Sequence, residues 1–215
     1  MKRCLILVVL LILCGCGLGS TPKPFATLTE NCTTPGTIIA ADLPQPKRGY
    51  TYSYRVYLLP CYSADSESRY PVLYLVPGRS SSPAAWFAAG LADVVDRLIL
   101  HKDIPPFIIV ATESIESDPL ADTIHNELLP YIEDQYPIID DRQYRAVAGG
   151  SLGGIAAYRL AFQHPDTFSS AGIFGAGAIS GEETQINEWL SSINEETRLR
   201  VFMDTGWEHP ATYEY

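Results

Sequence analysis

The stretch Arg145 to Gly154, RAVAGGSLGG, decides the fold prediction. Its first five residues, Arg145 to Gly149, have the small, apolar character of a short buried strand, and an apolar helical pattern begins at Leu152. Ser151 therefore stands in a G-x-S-x-G turn between a strand and a helix. That context is typical of a nucleophile elbow, in which a strained turn exposes the serine hydroxyl. The alternative is a glycine-rich turn that carries an unreactive serine.

A nucleophilic serine requires hydrogen-bond donors for the negative charge that develops on the attacked carbonyl oxygen. The N–H group of Leu152, at the start of the helix, is the first candidate donor. The second donor usually comes from the loop after an earlier buried strand. Here that loop begins at Pro77, and the N–H group of Arg79 is the candidate.

Strand and helix patterns alternate on both sides of this turn. Strands are predicted at Tyr52 to Leu59, Tyr70 to Val76, Phe107 to Thr112, Ala171 to Phe174 and Leu199 to Thr205. Helices are predicted at about Pro83 to His101, from Asp118-Pro119 through Ile132, from Leu152 to about His164 and at Glu182 to Ile193. This alternation predicts a three-layer α/β sandwich with a mostly parallel central sheet.

Further motifs occur in a characteristic order around the GGSLGG turn. They are RYPVLYLVPG (Arg69 to Gly78), Trp86, IPPFIIV (Ile104 to Val110) and ELLPYIEDQY (Glu127 to Tyr136). Together they resemble the putative esterase family, which includes esterase D, enterochelin esterases, feruloyl esterases and mycolyltransferases. The resemblance covers about Tyr50 to Tyr215. It implies an α/β-hydrolase fold and a Ser–acid–His triad that acts on carboxylic esters through an acyl-enzyme on Ser151.

The acid of that triad departs from the family pattern. In the hydrolase fold the acid follows the nucleophile along the chain, and the histidine comes last. His209 occupies the position expected for the acid. The neighbouring Glu208 is the first candidate for the acid and Asp204 the second, and the alternative is that Glu208 is an ordinary surface carboxylate.

No histidine lies where the family has its catalytic one. His101, His125 and His164 have the positions of surface or helix-end residues, and His209 occupies the acid position. The chain stops at Tyr215, so we expect the last helix, the last strand and the histidine loop to be missing, as in a fragment of a longer esterase. The 215 residues by themselves are then expected to have little or no hydrolase activity.

The N-terminus predicts export. Residues 1–16 combine two basic residues, a short apolar run and small residues, as a signal peptide does. The end of this segment resembles a bacterial lipobox, which makes Cys16 the candidate for lipidation and membrane anchoring. Residues 17–35 are predicted to form a tether between the leader and the domain, and residues 36–215 are predicted to form the esterase domain. We expect a lipid-anchored protein at the bacterial cell surface or in the periplasm; the alternative is a soluble secreted protein.

Outside this leader the cysteines are Cys32 and Cys61, which are either a disulfide or two unrelated buried thiols. No spacing typical of a zinc site and no nucleotide-binding motif occurs, so neither a metal nor a cofactor is expected. The net charge of −10 argues against a nucleic-acid partner. The sequence does not indicate an oligomeric state.

Three functions follow from these motifs. The first is hydrolysis of a small-molecule or glycan-linked ester by Ser151. The second is acyl transfer to a sugar or lipid hydroxyl, which requires the same residues. The third is an inactive surface protein that keeps the fold to bind a ligand, which the lack of an assigned histidine favours and the intact turn disfavours.

Overall fold

The computed structural model describes residues 28, 31–44, 49, 51–64, 67–114 and 120–204. Its strands are β1 (Thr37–Leu43), β2 (Tyr52–Leu58), β3 (Val72–Val76), β4 (Ile108–Thr112), β5 (Arg145–Gly150), β6 (Ser170–Phe174) and β7 (Arg200–Asp204). Its helices are α1 (Ala85–Ala88), α2 (Leu91–Leu100), α3 (Leu120–Thr123), α4 (Leu129–Gln135), α5 (Leu152–Gln163) and α6 (Glu183–Ser191). None of these helices has the length and apolar character needed to span a bilayer.

The seven strands form one sheet in the order β1-β2-β4-β3-β5-β6-β7. Strands β3 to β7 are parallel to one another, whereas β2 is antiparallel to both β1 and β4. The apolar runs of β3 and β4 lie at the centre, as expected for strands that are covered on both faces. The predicted mostly parallel sheet is confirmed, and β1 is a strand that the sequence patterns did not predict.

The helical regions differ from the prediction in two places. The segment from Pro83 to His101 forms two helices, because Gly90 adopts a left-handed φ of 90° between α1 and α2. Helices α3 and α4 are joined by a π-helical stretch, Ile124–Leu128. Pro130, in the first turn of α4, has no N–H group to donate to the preceding turn, which accounts for the irregular hydrogen bonding there.

Arg142 lies in a single 3-10 turn before β5. Its side chain links the connections that lead into the N-terminal ends of β6 and β7. Its guanidinium group donates to four carbonyl oxygens at 2.7–3.1 Å, those of Pro165, Phe168, Glu196 and Arg198. The first two acceptors precede β6 and the other two precede β7. One side chain therefore fixes the beginnings of both β6 and β7.

A disulfide and a shared carboxylate help to attach the N-terminal arm to the domain. Cys32 and Cys61 form a disulfide. The carboxylate of Asp96, on α2, accepts the N–H group of Gly36 at 3.1 Å and the hydroxyl of Tyr57 at 2.5 Å. The arm, β2 and α2 are thereby tied together. Cys16, the candidate lipidation site, lies outside the described residues.

Removal of the disulfide is expected to destabilise the domain. The bond closes a loop over a sequence separation of 29 residues, and constraint of the unfolded chain by such a loop corresponds to about 3–4 kcal/mol. The double variant Cys32→Ser/Cys61→Ser should lose about this much free energy of unfolding in urea titrations. Dithiothreitol should produce a comparable loss in the wild type and none in the variant; equal stability of the two proteins in oxidising buffer would contradict the prediction.

Candidate active site

Ser151 occupies a strained turn between β5 and α5. Its backbone angles are φ 54° and ψ −122°, in a region that L-residues rarely adopt. Ser151 is exposed to solvent. The N–H group of Ser151 donates to the carbonyl oxygen of Phe174 at 2.8 Å, and its carbonyl oxygen accepts from Gly154 at 2.8 Å. The hydroxyl group does not cap the helix. The backbone is thus fixed by the neighbouring strand and helix while the hydroxyl remains available.

Two glycines allow the strand and the helix to approach this closely. A Cβ atom at Gly153 would lie 2.2 Å from the carbonyl oxygen of Val76, at the end of β3. A Cβ atom at Gly149 would lie 2.2 Å from the carbonyl oxygen of Gly153. Both contacts are with backbone atoms, which cannot turn away as a flexible side chain can. Gly149 and Gly153 are therefore required by packing.

The loop that follows β3 lies against the serine. A Cβ atom at Gly78 would be 3.3 Å from the carbonyl oxygen of Gly150 and 3.6 Å from the Cβ atom of Ser151. The next residue, Arg79, is exposed and belongs to a turn that the N–H group of Ser81 closes on Gly78. Leu152 is the first residue of α5, so its N–H group has no acceptor within the helix. Both candidate oxyanion donors thus lie on segments that flank Ser151.

Three aromatic residues, Trp86, Phe174 and Phe202, form an aromatic row beside this turn. The Trp86 ring lies 3.9 Å from the position of a Cβ atom on Gly150. It contacts Phe174 edge-to-face at a centroid distance of 6.4 Å, and Phe174 lies 5.8 Å from Phe202. The indole Nε1 of Trp86 is buried and has no hydrogen-bond partner among the described residues. Of these three residues, the sequence motifs included only Trp86 as a separate feature. The row itself could not be predicted, because it depends on the register of β5, β6 and β7.

Of the two candidate acids of the triad, the structure describes Asp204 and not Glu208. Asp204 ends β7, and its carbonyl oxygen accepts the N–H group of Gly175 at 2.7 Å. The β5-β6-β7 order places Asp204 at the same sheet edge as Ser151, two strands away. Glu208 lies outside the described residues, as does His209.

The described histidines lie far from Ser151. His164 ends the 12-residue helix that Ser151 begins, which separates the two residues by about 18 Å along the helix axis. His125 stacks on His164 with a centroid distance of 3.6 Å and therefore lies at the same far end. His101 ends α2, on the connection that enters β4 at its N-terminal end. None of these three residues is placed to accept the proton of Ser151.

Metal coordination has no support among the described residues. Within that part of the chain, no three His, Cys, Asp or Glu side chains are grouped closely enough to hold a metal ion.

The His125–His164 stack affects stability instead. Burial lowers the pKa of His164 below its ordinary value, and the charge of His125 lowers it further; Asp166 and Asp122 oppose this effect. Because the folded-state pKa lies below the unfolded one, protonation favours the unfolded chain. The stability contribution is fully present above the ordinary histidine pKa of about 6.5 and is lost as the pH falls from there through the lowered folded-state pKa.

The variant His164→Gln should therefore weaken the pH dependence of stability. Urea titrations between about pH 7.5 and 5.5 should show a smaller loss of unfolding free energy in the variant than in the wild type. The exposed His101→Gln serves as the matched control and should keep the wild-type slope. An unchanged slope in His164→Gln would be inconsistent with this assignment.

A methyl group at Gly153 should be poorly tolerated. Gly153→Ala forces a methyl group onto the backbone of Val76, and we expect a loss of about 3 kcal/mol or more in unfolding free energy. Gly177→Ala is the control, since a Cβ atom at Gly177 meets nothing within 4 Å. Chemical denaturation of both variants provides the comparison, and equal stability would contradict the packing argument.

Comparisons with known proteins agree with this architecture. A ferulic acid esterase structure superposes with a TM-score of 0.63, at 24% identity over 77% of this chain and 75% of that one. The feruloyl esterase module from Clostridium thermocellum, complexed with sinapinate, gives a TM-score of 0.69 at 18% identity, covering 86% of this chain and 73% of that module. These likenesses concern the fold, and they confirm the predicted α/β-hydrolase type.

Sequence comparison gives the family. An endo-1,4-beta-xylanase/feruloyl esterase of Xylanibacter ruminicola is 29% identical over 130 residues, which are 54% of this chain and 18% of that protein's length. The family model described as "Putative esterase" matches residues 49–212, including the strained Ser151 turn and the loop after β3. The chain belongs to the putative esterase family.

Proposed function

We propose that the protein is a serine carboxylic-ester hydrolase with Ser151 as its nucleophile. The observation that carries this proposal is the strained, exposed Ser151, whose backbone is fixed while its hydroxyl does not cap α5. Membership of the esterase family and the similarity to a feruloyl esterase support ester hydrolysis as the reaction class.

In this mechanism the Ser151 hydroxyl oxygen attacks the ester carbonyl carbon as its proton passes to a base. The carbonyl oxygen becomes an oxyanion, which accepts hydrogen bonds from the N–H groups of Leu152 and Arg79. The positive end of the α5 dipole adds to this stabilisation. Collapse of the intermediate breaks the bond to the alcohol, which leaves with a proton. Water then attacks the acyl-enzyme, releases the acid and restores the hydroxyl group.

The base is the component that the described residues leave unassigned. His101, His125 and His164 lie away from the serine, and the candidate acid Glu208 belongs to the segment outside the described residues. A serine without a base is a poor nucleophile at neutral pH. We therefore expect slow hydrolysis that an added base accelerates only when Ser151 is present.

Chemical rescue tests this expectation. Hydrolysis of p-nitrophenyl acetate is measured with and without imidazole, and the rate given by Ser151→Ala is subtracted at each imidazole concentration. We expect a small Ser151-dependent rate that rises about tenfold or more with imidazole, because imidazole can accept the proton of Ser151. Labelling by a fluorophosphonate should rise in parallel and be lost in Ser151→Ala.

Two outcomes would change this interpretation in different ways. Equal rates for the wild type and Ser151→Ala at every imidazole concentration would exclude Ser151 as the nucleophile. Rapid Ser151-dependent turnover without imidazole would support the nucleophile and overturn the expectation of slow hydrolysis.

The acyl group of the substrate is proposed to be aromatic. Trp86 lies next to Gly150, and Phe174 and Phe202 continue the aromatic row from it. Aromatic rings pack well against planar acyl groups. Relatives named as feruloyl esterases, one of them complexed with sinapinate, lend further support.

We also propose that the protein is exported and anchored to the bacterial membrane by a lipid on Cys16. Export is supported by the disulfide between Cys32 and Cys61, because disulfides form and persist in oxidising compartments outside the cytosol.

A further inference from the structure

Strand β7 forms one free edge of the sheet. Among the described residues it pairs only with β6, and all five of its residues are exposed. Three of them are apolar, with exposed fractions of 46% for Val201, 62% for Phe202 and 52% for Met203. Strands of parallel sheets are ordinarily covered on both faces, and an unpaired edge is a template for another strand. We propose that β7 pairs with β7 of a second copy of this chain, antiparallel and in register about Phe202.

The sequence of β7 is complementary to itself. It reads Arg200-Val201-Phe202-Met203-Asp204. A twofold axis at Phe202 places Arg200 of one protomer opposite the partner's Asp204, and Val201 opposite the partner's Met203. The two Phe202 side chains face each other on the axis. Opposite charges and paired aromatic rings at facing positions stabilise an antiparallel strand pair, so every residue of β7 meets a favourable partner.

The backbone of β7 presents the hydrogen-bonding groups that this register requires. The Arg200 N–H group donates to a carbonyl oxygen just before β6 at 2.9 Å, and the Asp204 carbonyl oxygen accepts from an N–H group just after β6 at 2.7 Å. Backbone groups alternate in direction along a strand, so Val201 and Met203 direct theirs to the free edge. Val201 and the partner's Met203 can therefore exchange two hydrogen bonds, and the symmetry-related pair can exchange two more.

The same alternation places the charged and aromatic side chains where strands approach most closely. In the proposed register, Arg200, Phe202 and Asp204 occupy the non-hydrogen-bonded positions, at which facing Cα atoms are only about 4.5 Å apart. Within the part of the chain that the structure describes, neither Arg200 nor Asp204 makes an ion pair. Two charge pairs would thus flank the Phe202 pair on one face of the joined sheet.

The other free edge of the sheet lacks this complementarity. Strand β1 forms that edge, and its Ile38 and Ile39 are each 40% exposed. Pairing two copies of β1 over their full length puts the axis at Ala40 and sets Ile38 against the partner's Asp42. A carboxylate in that position loses hydration without gaining an opposite charge. The pattern of charges therefore favours β7 as the self-associating edge.

The size of this contact sets the strength of the dimer. Each protomer contributes five strand residues, whereas standard interfaces involve about 20–30 residues a side. We therefore expect a reversible dimer with a dissociation constant on the order of 100 µM. Dimerisation through β7 does not depend on the proposed reaction at Ser151.

Sedimentation equilibrium of the 215-residue chain, from about 10 µM to about 1 mM, tests the proposal. We expect a monomer–dimer equilibrium that weakens as salt is raised, because the charge pairs are exposed. Arg200→Asp places carboxylates opposite each other at both ends of the strand pair and should weaken the dimer about tenfold or more. Arg97→Asp, at an exposed position on α2, makes the same change of charge and should dimerise as the wild type does.

Exchange of the charges provides a second test. Asp204→Arg alone should weaken the dimer as Arg200→Asp does. An equimolar mixture of these two variants should form a heterodimer, because each charge then faces its opposite. Val201→Pro removes an N–H group that points to the free edge and leaves the bonds to β6 intact, so it should also weaken the dimer. It replaces the charge variants if thermal unfolding shows that they do not fold.

Two outcomes would overturn the proposal. One is a monomeric wild type at every concentration, as expected if other residues of the same chain pair with β7 or if the edge stays unpaired. The other is a dimer that Arg200→Asp and Val201→Pro leave unchanged, which would place the contact on another surface. Association in the mixture of the two charge variants, together with weak association of each alone, is the result that supports the antiparallel register about Phe202.

Discussion

The contact between the first turn of α5 and the end of β3 is the constraint on which the site depends. Gly153 meets the carbonyl oxygen of Val76 so closely that no side chain fits between them. This contact brings the helix N-terminus against the end of β3, directly after the positive-φ turn at Ser151. Gly78, in the loop after β3, also lies close to the Cβ atom of Ser151. Close backbone contacts at Gly153 and Gly78 thus pack the helix N-terminus and the loop after β3 around Ser151.

The carboxyl-terminal edge of the sheet brings together residues from distant parts of the chain. Parallel strands end at the same edge, so Ser151, Arg79 and Phe174 meet there although separate segments carry them. The antiparallel strand β2 begins at this edge and runs in the opposite chain direction.

Local patterns made the central strands and the Ser151 turn predictable. Continuous apolar runs specify buried parallel strands, and the glycines around Ser151 specify a close approach of backbone to backbone. Features that depend on register were not predictable from single segments: β1, the contact between Phe174 and Phe202, and the position of β7 at a free edge of the sheet. The π-helical stretch escaped prediction because Ile124 and Leu128 keep a spacing that also suits an ordinary helix. Glu208 and Cys16 remain predictions, since both lie outside the described residues.

Arg142 has a consequence for the order of folding. Its side chain precedes β5, whereas its four carbonyl acceptors lie 23 to 56 residues further along the chain. Contacts of such sequence separation form only after the intervening chain has closed into place. The guanidinium group is therefore satisfied only when β5, β6 and β7 have all assembled, and a chain arrested before β7 leaves two of its bonds unmade. The last two of these hydrogen bonds should consequently form only when the chain that leads into β7 is in place.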